Sequence, residues 1–308
     1  ELDRVTVRLL IVVLTVLGSV AAPGTRAANP RFEPIDRNLY EWCAVAPIVA
    51  SAVHVEFDGR WAQLDVERSL RGNLAPGTRI RVDRRTANRN RGSQALPTDF
   101  DPETRYVLLL TPSRRGKPDD LPAFDLVRGV RGVRELPAEG SDAILDALSE
   151  FIAIQELNDF GSVWTRSREL LGSRNPIILE TILEQYAKFR RGAPDLLPVI
   201  GPLLDHPRSS IRTKTAWLIG QILEELGSEN DPEAKPMLPP LIGMARRDPV
   251  VEVRVAATEA LGMLQGPSTR TVLEEIAEDD PDQAVRYIAE RILLDRRSAG
   301  AETASRSD

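Results

Sequence analysis

The spacing of hydrophobic positions changes once along the chain. From Ile48 to Leu136 apolar and polar residues alternate in short runs. Ile48 to Phe57 is rich in β-branched residues and ends in Asp58-Gly59, a hairpin signal. Trp61 to Leu70 and Thr78 to Asp83 alternate again, with Gly72 and Pro76-Gly77 between them. Arg105 to Thr111 is nearly all apolar, the mark of a strand covered on both faces. Ala123 to Val127 and Val130 to Leu136 complete the series, while residues 86–103 are polar and predict a long loop. Antiparallel sheets of five or six short strands avoid open edges by closing. The pattern therefore predicts a small antiparallel β-barrel over residues 33–138. His54, between Val53 and Val55, is expected on the solvated face of its strand.

After Ser141 the period becomes helical. Ser141 is a candidate N-cap, and Ile144, Leu148, Phe151 and Ile152 share one face, so residues 141–158 predict a linker helix. Over residues 159–297 one stripe then recurs. It reads Ile211, Thr215, Leu218, Ile219; then Val253, Ala257, Ala260, Leu261; then Val285, Ala289, Ile292, Leu293. A weaker copy holds Leu179, Leu183, Tyr186 and Ala187 at the same offsets. Further apolar-periodic stretches precede each copy, at Val163 to Leu171, Asp195 to Leu204, Met237 to Ala245 and Thr269 to Ala277. Antiparallel helix pairs stacked side by side form an α-solenoid. The expected fold class is α+β with two domains, a small OB-like antiparallel β-barrel followed by the solenoid. Residues 298–308, rich in Ser, Ala and Arg, are expected to be a disordered tail.

Each clear copy also carries an Asp and a Pro at its helix start, as Asp205-His206-Pro207, Asp248-Pro249 and Asp280-Pro281, and a branched residue followed by Arg, at Arg212, Arg254 and Arg286. These arginines are 42 and 32 residues apart, and Gly227 to Pro236 is an insertion in the longer interval. The pattern resembles HEAT repeats, in particular the short kind first recognised in phycobilisome lyases. That resemblance implies a structural ladder of Asp205, Asp248 and Asp280 with Arg212, Arg254 and Arg286 between neighbouring repeats. Asp accepts from helix-start N–H groups, Pro sets the first helical φ, and Arg presents a planar fork to carboxylates. Position Glu180 of the weak copy departs from the pattern, holding Glu in place of Arg. Specific recognition is expected where copies differ, at Lys214, Trp217, Glu259 and Arg291 and in the insertion; core packing is the commoner role for Trp217.

Charge narrows the partners. The chain has 40 Lys/Arg against 46 Asp/Glu, a net −6 over 308 residues. Residues 141–308 hold 19 against 28, or −9. That excess of negative charge argues against nucleic acid, whose phosphates need cations. At the front, Arg4 and Arg8 precede the apolar run Leu9 to Leu17, and small residues follow to Ala28. This is the order of an export signal, so residues 1–28 are expected to be a cleaved signal peptide of a bacterial periplasmic or secreted protein, with no membrane span afterwards. The sequence begins at Glu1, which leaves the start of that signal open. A single Cys and two His leave little for a metal site or disulfide, and no cofactor is expected.

The strand series, with "Leu-x-Val-x-x-x-Leu-Arg-Gly" at Leu64 to Gly72 and "Arg-Tyr-Val-Leu-Leu-Leu" at Arg105 to Leu110, looks like the netrin/TIMP-like OB module of exported bacterial proteins. In the inhibitors of that superfamily an N-terminal Cys engages a metalloprotease zinc; the Cys-x-Cys is missing here and Cys43 alone remains. Arg79, Arg81, Arg84, Arg85, Arg89 and Arg91 form a candidate anion patch, although no aromatic residue interleaves them in sequence and a solvated face is the simpler reading. The His-Glu pairs of diiron HEAT enzymes are absent, since His54 precedes Val55 and His206 precedes Pro207. The expectation is a non-catalytic scaffold that binds another protein, as a monomer or weak oligomer. The alternative is an inhibitor or regulator of an extracytoplasmic hydrolase acting through the barrel, and a lyase-type enzyme or enzyme subunit comes third.

Overall fold

A computed structural model of the chain describes residues 38–84, 100–115, 121–127, 129–189 and 193–305. The expected signal segment, Arg85, Arg89 and Arg91 lie outside the described residues. The chain divides into two compact units, Glu1–Ser167 and Arg168–Asp308.

The first unit is a six-stranded sheet with two helices. Helix α1 (Leu39–Cys43) precedes strands β1 (Ile48–Asp58), β2 (Trp61–Arg71), β3 (Arg79–Asp83), β4 (Arg105–Pro112), β5 (Ala123–Leu126) and β6 (Val133–Glu135). The β1–β2 hairpin turns at Gly59, whose φ of 59° is left-handed, as the Asp-Gly signal implies. The order is β1-β2-β3-β5-β4-β6 with an additional β1–β4 pairing, so the ladder returns to its first strand. β3 and β5 run parallel; the other pairings are antiparallel. Ala50, Ala52, Leu64, Val66, Ile80, Val82, Tyr106, Leu108, Leu110, Phe124 and Leu126 alternate along their strands and meet in one core with Phe100. The small alanines of β1 leave room for the larger chains of β4 and β5.

Helix α2 (Ser141–Glu156), expected as a linker, belongs to this unit and packs on β2. Arg71 fastens it: its guanidinium donates to the carbonyls of Cys43 and Ala46 at 2.8 and 3.1 Å and to Gln155 Oε1 at 2.6 Å. Ser141 is the first residue of α2 and Gly140, in the left-handed region, is its N-cap; the Ser141 hydroxyl accepts from Arg105 instead.

One strand expectation is reversed. His54 is buried, 2% exposed, and Val55 is exposed. The interior positions of β1 are the even-numbered ones, led by Ala50 and Ala52, and a register irregularity follows His54. Its ring packs on Phe57 and Phe100, with centroids 4.3 and 5.8 Å away.

Helix α3 (Phe160–Leu170) runs across the division between the units. In the second unit α4 (Pro176–Lys188), α6 (Ser209–Leu226), α8 (Val251–Gly262) and α10 (Gln283–Ser305) pack side by side in series. Helix α7 (Leu238–Arg247) packs on α8, and α9 (Pro267–Asp279) packs on α10. The result is a solenoid-like stack. The stripe of the sequence is its core: Ile211, Thr215, Leu218 and Ile219, then Val253, Ala257, Ala260 and Leu261, then Val285, Ala289 and Leu293 are buried. The stretch before α6 is broken into the 3-10 turn Pro194–Leu196, the short helix α5 (Leu197–Ile200) and the 3-10 turn Gly201–Asp205. Pro194, Pro198 and Pro202 each lack the N–H that an α-helix uses.

Stacking is closest where side chains vanish. A Cβ on Gly220 would lie 3.1 Å from Ala260 Cα, and one on Gly262 would meet Ile292. At the same offset α10 holds Leu294, which is 62% exposed. Glu290 stands where α6 and α8 hold the buried Ala216 and Thr258. The outer face of α10 is thus too bulky and too charged for a further helix to approach as closely.

Helix α10 continues through Ser305, into the stretch expected to be a tail. Ala299, Ala301 and Ala304 are strong helix formers and extend a helix that is already nucleated.

Candidate functional site

The repeated charges form a ladder that runs one repeat forward. Arg212 donates to both carboxylate oxygens of Asp248 at 2.8 Å. Arg254 donates to both oxygens of Asp280 at 3.0 Å. This pairing holds the Arg254 guanidinium above the usual arginine value, through the Asp280 hydrogen bond first. Each arginine also clamps the carbonyl six residues before it: Arg212 that of His206, Arg254 that of Asp248 and Arg286 that of Asp280, at 2.9, 3.0 and 2.5 Å. Asp248 and Asp280 in turn accept from the N–H two residues on, Val250 and Asp282. One residue type thus caps its own helix and receives its neighbour's arginine.

Asp205 is a correction to the expected ladder. His206, not Asp205, is the residue six before Arg212, and His206 Nδ1 accepts from the Arg208 N–H as the later aspartates do from theirs. Asp205 stands one residue outside this register, and no guanidinium grips it among the described residues. The preceding rung is missing on both sides, since Glu180 occupies the arginine position. Glu180 accepts from the Ser210 hydroxyl at 2.6 Å and faces Arg208 at 3.9 Å. At the far end no carboxylate grips Arg286 among the described residues.

Three of the four expected recognition residues join neighbouring helices. Lys214 of α6 pairs with Glu184 of α4 at 3.0 Å, and Arg291 of α10 lies 4.0 Å from Glu259 of α8. Trp217 differs, being 47% exposed where core packing was the commoner expectation. It lies one turn before the offset that Phe189 occupies after α4 and Met263 after α8, and both of these are exposed as well. Sequence periodicity could have found this row, because offsets six and ten from the stripe's first residue share a helix face.

The insertion serves structure. Gly227 ends α6 in the left-handed region, and Glu229 accepts from the N–H groups of Ser268 and Thr269, at 3.1 and 2.8 Å, at the start of α9. Burial raises the carboxyl, but the two N–H donors outweigh it and hold Glu229 below the usual glutamate range. Gly266 is required beside it, because a Cβ there would sit 1.9 Å from the Glu229 carboxyl carbon.

In the first unit the described part of the candidate anion patch is engaged. Arg79 grips Asp65 with two bonds at 2.7 and 2.9 Å. Arg81, nearly buried, stacks over Trp61 at 5.0 Å, and Arg84 over Phe57 at 4.0 Å. Arg60 and Arg115 both bind the buried Asp83. The sequence places no aromatic among these arginines, but strand register does: Trp61 pairs with Asp83, two residues from Arg81. Cys43 is fully buried, and burial pushes its thiol up to about 11. Its burial keeps the sulfur out of contact with solvent, unlike a Cys presented at an open N-terminus.

The repeated helix pairs, the forward Arg–Asp ladder and the glycine contacts define a helical-repeat array. Residues 220–293 match the family model for HEAT repeats, a stretch reaching from the end of α6 into α10. Curated proteins give no match to the chain. No helix among the described residues is long and apolar enough to cross a membrane.

Proposed function

We propose that this chain is a non-catalytic protein-binding or scaffold protein of the bacterial cell envelope, recognising its partner through the face of α4, α6 and α8. The observation that carries the reading is the exposed row Phe189, Trp217 and Met263 on three successive stacked helices. Singly exposed apolar residues are ordinary; a row at related offsets on helices that also carry the Lys214–Glu184 and Arg291–Glu259 pairs has the mixed apolar and charged composition of an interface. HEAT repeats commonly mediate protein interaction, and residues 220–293 match that family. The first unit reads as a closed OB-type barrel, supported by pairings that return to β1 and by the parallel β3–β5 pair. The envelope location rests on the order of Arg4, Arg8, the apolar run and the small residues up to Ala28.

The test is affinity capture from the envelope fraction with the full chain, beside its Trp217→Asp and Met263→Glu variants. A protein retained by the wild-type chain and lost with either variant, at unchanged melting temperature, is the expected result. Equal retention by all three chains overturns the proposed face.

A further inference from the structure

A groove of about 430 Å³ opens where the end of α8 meets α9 and α10. Its walls are Gln265, Gly266, Pro267 and Arg270 on one side and Leu293, Arg296 and Arg297 on the other. It is separate in its residues from the Phe189, Trp217 and Met263 row and does not rest on that reading. The volume lies in the range of small-molecule sites.

Three guanidinium groups line this groove inside a unit that is acidic as a whole. Arg296 is held by neutral groups: it donates to the carbonyls of Leu261, Gly262 and Leu264 at 3.2, 3.0 and 2.5 Å. Among the described residues no carboxylate hydrogen-bonds it, and its Nε is buried without an acceptor. Burial pushes this arginine below its ordinary pKa, and Arg270 adds repulsion, while Glu229 partly offsets both. Glu229 is already committed to the N–H groups of Ser268 and Thr269. Among the described residues Arg270 pairs with Glu274 alone, four residues on, at 2.9 Å and with both side chains well exposed. Such a pair contributes only a few tenths of a kcal/mol in water and yields readily to a better anion. Arg297 is exposed and has no carboxylate within reach among the described residues. The groove thus holds more positive charge than Glu274 and Glu229 beside it offset.

The remaining lining decides which anion fits. Pro267, which is exposed, and the edge of the otherwise buried Leu293 give the groove apolar surface beside the guanidinium groups. A bare inorganic ion would use only the charge. An anion attached to an apolar body would use both, since guanidinium forks bind carboxylate or phosphate and the apolar part displaces water from Leu293 and Pro267.

We propose that this groove is a binding site for a small amphipathic anion, a carboxylate or phosphate monoester, with its head among Arg270, Arg296 and Arg297 and its apolar body on Leu293 and Pro267.

Titration calorimetry of the full chain with phenylacetate, phenyl phosphate, inorganic phosphate and neutral benzyl alcohol tests this. One or both aryl anions should bind, inorganic phosphate should bind more weakly, and benzyl alcohol should not bind. The preferred aryl anion then tells a carboxylate ligand from a phosphomonoester. Arg270→Ala with Arg297→Ala should weaken the bound anion by at least about tenfold, because two charged hydrogen-bond donors are lost. Both positions are exposed, so the melting temperature of that variant should stay close to wild type. No aryl-anion binding, binding unaffected by the double substitution, or inorganic phosphate binding as tightly as the aryl anions overturns the proposal.

Discussion

Arg254 of α8 and Asp280, just before α10, are joined by two parallel hydrogen bonds of 3.0 Å, with side chains only 9% and 3% exposed. The pair ties one repeat to the next and cannot be lost from one side without leaving a buried charge. Arg254→Ala should therefore cost about 3 kcal/mol, the range for breaking a buried ion pair from one side. Arg254→Lys should recover only part of this, since an ammonium cannot reproduce the fork that also reaches the Asp248 carbonyl. Arg286→Ala should cost below about 1 kcal/mol, because Arg286 clamps a carbonyl but meets no next aspartate. Urea unfolding of the three variants checks the order. A larger loss at Arg286 than at Arg254 would mean that the ladder does not run forward.

Glu229 makes stability depend on pH. Its carboxylate is held below the ordinary glutamate value of about 4.3 by the N–H groups of Ser268 and Thr269. A depressed folded-state value means that the unfolded chain takes up the proton first. The contribution is complete above the unfolded value and is lost as pH falls through the folded one. Glu229→Gln should lower stability by about 1–2 kcal/mol at pH 7 and by progressively less toward pH 3. Melting curves across that range provide the check; a loss of constant size at every pH would show that the charge is irrelevant.

The same residues show what the sequence could reveal. The apolar stripes are legible because helix periodicity is local, and every stripe position of α6, α8 and α10 is buried except Ile292, which is half-buried. Ladder phase is less legible. Asp205 stands in an Asp-His-Pro run that imitates the Asp-Pro of the later repeats but sits one residue out of phase. The true signal was the six-residue interval shared by His206 and Arg212, Asp248 and Arg254, and Asp280 and Arg286. Glu229 reaches N–H groups 39 and 40 residues away, and the stacking of Arg81 on Trp61 depends on the register of β2 and β3. Neither has a local signature. His54 was misplaced because Val53 and Val55 look like interior residues until Ala50 and Ala52 are seen to set the phase of β1.

Cys43 should be inert while the first unit is folded. Its thiol is fully buried, and that burial lifts it to about 11. At pH 8 roughly one thiol in a thousand would be ionised, and the reagent must still reach it. Iodoacetamide labelling of the native chain should follow the unfolding rate, with fast labelling in urea. Rapid native labelling at pH 8 would contradict the buried position behind Gln155 and Arg71.

His54 carries a cost that a substitution should remove. Both ring nitrogens are buried with no hydrogen-bond partner among the described residues, while the ring faces are occupied by Phe57 and Phe100. A buried polar group without a partner destabilises by about 1–3 kcal/mol relative to one that is satisfied or replaced by an apolar group. Leucine fills a similar volume and brings no polar atom, so His54→Leu should raise stability by about 1 kcal/mol after some loss of ring packing. His54→Ala should lower it, because the cavity outweighs the polar gain. The two variants separate packing from polarity in one denaturation experiment. A loss of more than about 1 kcal/mol in His54→Leu would show that the imidazole is bonded in solution and that the interior of the sheet holds a polar contact there.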